Sequence, residues 1–172
     1  MADALATITR AENLGMVTIR ADFARAGDAI AEAVGLALPD VTRITTDDSR
    51  SLGWMSPDEL LLILPVSETA GAIAALEQAL TGEHSLVVNV SDARAVFDVV
   101  GPHATDVLAK LSPVDFVELP QDGLRRTRAA QTAAAIWRID GGFRLIGFRS
   151  TADYLGLILN NATLAGSQLA PR

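Results

Sequence analysis

The chain contains no cysteine. That excludes disulfide bridges, thiolate zinc sites, iron–sulfur ligation and cysteine nucleophiles. It fits a reducing compartment. Aromatic residues make up 5% of the chain, too few for a platform on which bases stack. Long apolar runs are also missing. The strongest, Leu60 to Leu64, is far shorter than a membrane span. The opening Met1-Ala2-Asp3-Ala4-Leu5 has neither a basic segment nor an apolar stretch, so no signal peptide is expected and the expected location is cytoplasmic. No GxGxxG, HExxH or GxSxG pattern occurs, and no phosphate-binding P-loop.

Histidine is scarce too. His84 and His103 each lack a second histidine at ligand spacing, so a metal site would need carboxylates gathered by the fold. His103 follows Pro102 in the first turn of an expected helix, where an exposed cap-region residue is the ordinary outcome. The adjacent acids Asp47-Asp48 and Asp58-Glu59 would point to opposite faces of a strand and read as turn residues, not as an acid–base pair. Asp98 is a candidate for a cross-strand ion pair. No nucleophile–base set emerges, which favours a binding or structural role over catalysis by this chain alone.

What is present is a globular composition of 172 residues, 49% hydrophobic and 20% charged. That length supports one domain or two small joined halves. The net charge of −7 repels phosphate backbones, so nucleic acid is a poor partner. Arg125-Arg126-Thr127-Arg128 is the local exception. It reads either as a solvated surface loop or as a contact patch for an acidic partner surface or a ligand phosphate. Trp54 and Trp137 read as core or interface anchors.

Residues 1–15 show no sustained period and read as a flexible N-terminal arm. Residues 16–162 read as one α+β domain with possible subdomains 16–90 and 91–162, and 163–172 as a frayed tail. Strands are expected at 16–21, 41–45, 52–55, 59–64, 86–90 and 94–100, with a hairpin formed by 133–139 and 143–148 around Asp140-Gly141-Gly142. Phe23, Ala26, Ile30, Ala33 and Val34 mark one face of a helix over 23–34, and Gly35 stops it. A second helix is expected from a Ser67 cap to Leu80, with Thr69, Ile73, Leu76 and Leu80 inward. A third is expected to open at Gly101-Pro102, with Ala104, Val107, Leu108 and Leu111 on its stripe. The stretch 114–128 reads as loose. Ser150 to Asp153 resembles a capping box that opens a last helix to about Asn160. That helix is apolar nearly all round, so its exposed side, including Tyr154, is an interface candidate. Short turns between neighbouring strands argue for antiparallel or mixed sheets, with a ferredoxin-like N-terminal half and a second α+β half.

Several segments resemble the gamma subunit family of heterotetrameric sarcosine oxidase. They are Gly53-Trp54-Met55-Ser56-Pro57-Asp58-Glu59-Leu60-Leu61-Leu62, then Gly101-Pro102-His103-Ala104 with Val107-Leu108-Ala109-Lys110 and Asp115, then Gln131-Thr132, and Arg149-Ser150 with Asp153-Tyr154-Leu155. Their order and spacing run from about Gly53 to Asn160. The family in turn is similar to part of the folate-binding aminomethyltransferase fold. The resemblance implies a non-catalytic subunit that buttresses alpha, beta and delta partners. FAD, FMN, NAD and tetrahydrofolate would lie in those partners, and the complex would demethylate sarcosine oxidatively to glycine. The folate enzymes carry an Asp-Val-Ser segment where Asn89-Val90-Ser91 stands here, so the resemblance makes Asn89 a vestigial folate-site candidate. A neutral amide neither takes a proton nor stabilises an iminium as a carboxylate does. Two other readings stay open: a stand-alone folate-binding relative, and a small-molecule-sensing module.

Overall fold

A computed structural model describes residues 4–169. It divides into two compact units, Asn13–Asp92 and a second made of the chain up to Glu12 together with Ala93 onward. Each unit is one five-stranded antiparallel sheet with two helices.

The contiguous unit runs β2 (Leu14–Arg20), α1 (Phe23–Val34), β3 (Ile44–Asp47), β4 (Arg50–Ser56), β5 (Glu59–Pro65), a 3-10 turn at Val66–Glu68, α2 (Thr69–Ala79) and β6 (Leu86–Asn89). Its sheet order is β3-β4-β5-β2-β6. Without the extra edge strand β3, this is the ferredoxin-like order expected from the sequence. Asp22 accepts the Ala24 amide to cap α1, and Gly35 ends that helix at φ 71°, the left-handed conformation only glycine adopts at no cost. Ile30 and Val34 of α1 pack with Leu76 and Leu80 over Val17, Ile19, Leu60, Leu62 and Leu64. β5 is buried on both faces, as its unbroken apolar run required.

The other unit runs β7 (Arg94–Val100), α3 (Ala104–Ala109), β8 (Leu124–Ala129), β9 (Thr132–Ile139), β10 (Gly142–Phe148), a 3-10 turn at Arg149–Thr151 and α4 (Ala152–Ala162). Its fifth strand is β1 (Thr7–Ala11), from the start of the chain, and its order is β8-β9-β10-β7-β1. The two units therefore share one topology, element for element. Their registers match as well. Leu14 opposes Pro65 as Arg94 opposes Phe148, and Thr18 opposes Leu61 as Asp98 opposes Arg144. By the same registers Val87 corresponds to Ile8 and Asn89 to Arg10. Val87 and Ile8 each pack against their own unit's core, as that equivalence demands.

Five expectations are corrected. Within the expected arm, Thr7–Ala11 is a strand and β2 starts at Leu14, not Met16. Ile8 packs against the core formed by Phe97, Val99 and Leu145. The partner strand lies some ninety positions away, so no local pattern announces it. The arginine cluster is not in a loop: Leu124–Ala129 is the edge strand β8. Ser67 and Ser150 cap nothing, because each lies in a 3-10 turn that tightens the entry to the helix. α3 starts at Ala104, with Gly101-Pro102 as a turn before it. Of the expected tail, Thr163 is buried and Lys110 Nζ donates to the Ser167 hydroxyl. Residues 1–3 and 170–172 of the expected arm and tail lie outside the described residues.

Candidate functional site

Asn89 ends β6, an edge strand, and is exposed. Its amide oxygen accepts the Ser91 amide at 3.0 Å and the Ser91 hydroxyl at 2.6 Å. The Ser91 hydroxyl accepts the Met16 amide at 2.9 Å in turn. This is a self-contained turn that fixes the exit from β6. The shallow groove beside it, about 490 Å³, is walled by Val66, Thr69, Ile73 and Ala74 of the α2 side, with Glu77 at its rim. A folate does not fit these residues as a reactant. Asn89 spends its acceptor on Ser91, and the carboxylates that line the groove, Glu77 and Asp92, stand at other positions. No chemical step is assigned to this position.

Thr69 contributes an unusual detail. It is 4% exposed, and its Oγ1 has no hydrogen-bond partner. A buried hydroxyl left so is uncommon. The hydroxyl sits directly against Gly15, and a Cβ built on Gly15 would overlap it. Gly15 and Thr69 correspond, in the other unit, to Ala95 and Ala152, both buried in its core. The oxygen occupies space that a methyl group fills in the sister arrangement.

The interface candidates fall in different settings. Trp137 is 3% exposed, so its indole is inside the protein and is not presented at the surface. Trp54 is half-buried and packs against the core of its unit. Tyr154 and Leu157 are exposed on the outer side of α4, while Leu155 and Leu159 are fully buried on the inner side. The last helix is thus amphipathic in practice, which its all-round apolar sequence concealed. Arg126 and Arg128 are exposed, and Arg125 is half-buried with its guanidinium donating to the Leu124 carbonyl.

Ion pairs organise both sheets. Asp98 and Arg144 face each other across β7 and β10 in a two-pronged bridge, 2.6 and 2.8 Å, with both side chains three-quarters buried. The bond to Asp98 pushes the Arg144 pKa up, against the opposing effect of burial. In the other unit Arg20 spans Asp58 and Glu59. The Ser56 hydroxyl donates to Asp58 at 2.7 Å and, with the Arg20 charge, holds that carboxyl below the usual range. Arg138 escaped notice in the sequence. It donates to the Leu119 and Phe116 carbonyls, lies over the Phe143 ring, and so pins the 114–123 segment to β9. His103 is exposed beside Asp106 at 3.3 Å, and His84 is exposed. Among the described residues no group of three or more His, Asp or Glu side chains is placed to hold a metal ion. Among the described residues no helix is long and apolar enough to cross a membrane.

Comparison with known proteins places these observations. The model of the sarcosine oxidase gamma subunit family matches residues 20–165. The sarcosine oxidase subunit gamma of Corynebacterium sp. (strain P-1) is 38% identical over 89 residues, 51% of this chain and 43% of that protein. The chain thus aligns with about half the length of the curated relatives it matches. A chain in the structure of the heterotetrameric sarcosine oxidase from Corynebacterium sp. U-96, in complex with pyrrole 2-carboxylate, superposes with a TM-score of 0.88 at 26% identity. That match covers 100% of this chain and 91% of the other. The glycine cleavage system aminomethyltransferase T from Bartonella henselae shares the fold, with a TM-score of 0.69 at 18% identity over 92% of this chain and 46% of that one. The matched family segment takes in four strands of each sheet and the four helices described, and on that ground the chain belongs to the sarcosine oxidase gamma subunit family.

Proposed function

We propose that this chain is a non-catalytic assembly subunit of a heterotetrameric sarcosine oxidase, in which it buttresses flavin-carrying alpha and beta subunits and a delta subunit during oxidative demethylation of sarcosine. The observation that carries the proposal is the superposition of the whole chain on a chain of such a heterotetramer. The chemistry of the surface supports it. Asn89 stands where the folate enzymes use a carboxylate, and its acceptor is consumed by Ser91. Arg20, Arg50, Arg138 and Arg144 are taken up by ion pairs or backbone carbonyls, which supports a binding role for the chain. FAD, FMN, NAD and tetrahydrofolate then belong to the partners, and the complex is cytoplasmic.

Co-expression with the flavin-type subunits encoded nearby tests this, with the tag on this chain and the visible spectrum as readout. A yellow complex that makes peroxide when given sarcosine is expected. A colourless, monodisperse protein that retains no partner would overturn the proposal, and tetrahydrofolate calorimetry would then test a stand-alone folate-binding relative.

A further inference from the structure

We propose that the outer edge of β8 is the docking strand of this subunit, and that its occupant is an extended segment of a partner subunit carrying carboxylates at alternate positions. The inference rests on the assembly reading above.

β8 is the last strand of its sheet, so among the described residues no strand neighbours its outer side. Such an edge offers backbone N–H and C=O groups to an incoming strand. Its side chains define the partner's chemistry. Arg126 and Arg128 are two residues apart, hence on one face and about 7 Å from each other. Both are exposed. Across the strand pair they oppose Ala135 and Ala133, which are neutral and short. Each guanidinium has five N–H donors, so even an existing local contact leaves most of them for a second carboxylate.

The corresponding edge of the other unit, β3, is built differently. Its one charged side chain is Asp47, and the Arg50 opposite it bridges to Glu68 instead. On β8 the positive charge faces outward from a protein of net charge −7. A strand added alongside β8 would set its alternate side chains opposite Arg126 and Arg128, where carboxylates make favourable cross-strand pairs.

Charged edge strands also guard against aggregation. The two roles separate cleanly, because a guard needs charge of either sign and this docking needs positive charge. The experiment is purification of the co-expressed complex through a tag on this chain. Partner stoichiometry is read for the native chain, for Arg126→Glu/Arg128→Glu and for Arg126→Lys/Arg128→Lys, with circular dichroism of each and a salt titration of the native complex. The charge reversal is expected to retain partner at least about tenfold less well with unchanged circular dichroism, since like charges would then meet across the interface. The lysine pair is expected to retain most of it, and the native complex to weaken as salt rises. Where the reversal fails to fold, Arg126→Gln/Arg128→Gln is read in the same way. A folded reversal variant that keeps native stoichiometry would overturn the docking strand and leave the assembly reading standing. A native chain that retains no partner would overturn both.

Discussion

The two units of this protein solve one topological problem with different chemistry. At several matched positions the two units place different chemistry. Thr18 and Leu61 stand where Asp98 and Arg144 form a bridge. Gly15 and Thr69 stand where Ala95 and Ala152 pack. The entry to the second helix differs as well: Glu68 bridges to Arg50 in one unit, while the corresponding Thr151 meets Thr132 in the other. The lesson is that the strand order requires burial of alternate residues, and the identities are free within that requirement.

The largest effect should come from removing the element the units supply differently. Deleting residues 4–12 strips β1 and exposes the β7 edge. Leu5 and Ala6, both buried, and Ile8 go with it. Hydrogen exchange should then show loss of protection in β7 and β10 while β2 and β5 stay protected. Equal loss in both sheets would break the comparison. Next comes the ion pair. Asp98→Ala alone leaves Arg144 partly buried without its carboxylate and should cost about 1–3 kcal/mol in urea unfolding. Asp98→Thr with Arg144→Leu installs the sister unit's pair and should cost clearly less than either change alone.

Gly15→Ala should destabilise by about 1–3 kcal/mol, through the overlap with Thr69. Adding Thr69→Ala should recover most of that, because it recreates the Ala95–Ala152 arrangement and removes an unpartnered hydroxyl. A double-mutant cycle with no coupling would count against the equivalence of these positions. The smallest effect concerns pH. The Asp58 carboxyl is held below its usual range when folded, so it binds fewer protons folded than unfolded. Its contribution is present above the ordinary carboxylate pKa and fades as pH falls through the lowered value, below about pH 4. Ser56→Ala should flatten the acid limb of a pH–stability curve slightly in that window.

Much of this was legible in the residues. α1, β5, β7 and the β9–β10 hairpin announced themselves because core burial fell on a clean period of 3.6 or 2, or on an unbroken apolar run. The resemblance carried by Gly53 to Leu62 and by Gly101 onward led to the right family. β1 and β8 escaped because edge strands meet the core on one face only, and Thr7-Ile8-Thr9-Arg10 and Leu124-Arg125-Arg126-Thr127 have too few apolar residues to show it. The duplication escaped too. The matched positions differ in residue type, and the strand that matches β6 is β1, which comes before its unit's other strands in sequence instead of after them. The interface candidates were residue types without a setting: Trp137 looked like Trp54, and only the sheet shows that one indole is enclosed.

β1 has a consequence for how the chain is made. Synthesis delivers this strand first, and its partner β7 only about 80 residues later, some seconds at ordinary elongation rates. Asn13–Asp92 has all its own strands by then and is free to fold on the ribosome, while Thr7–Ala11 waits as an unpaired strand. The Leu5 amide donates to the Thr163 carbonyl, so this segment ends beside the close of α4. A circular permutant that starts at Asn13 and carries residues 4–12 after Ser167 would make the second unit contiguous. It should fold with less delay, since the long loop that β1 must now close would be gone.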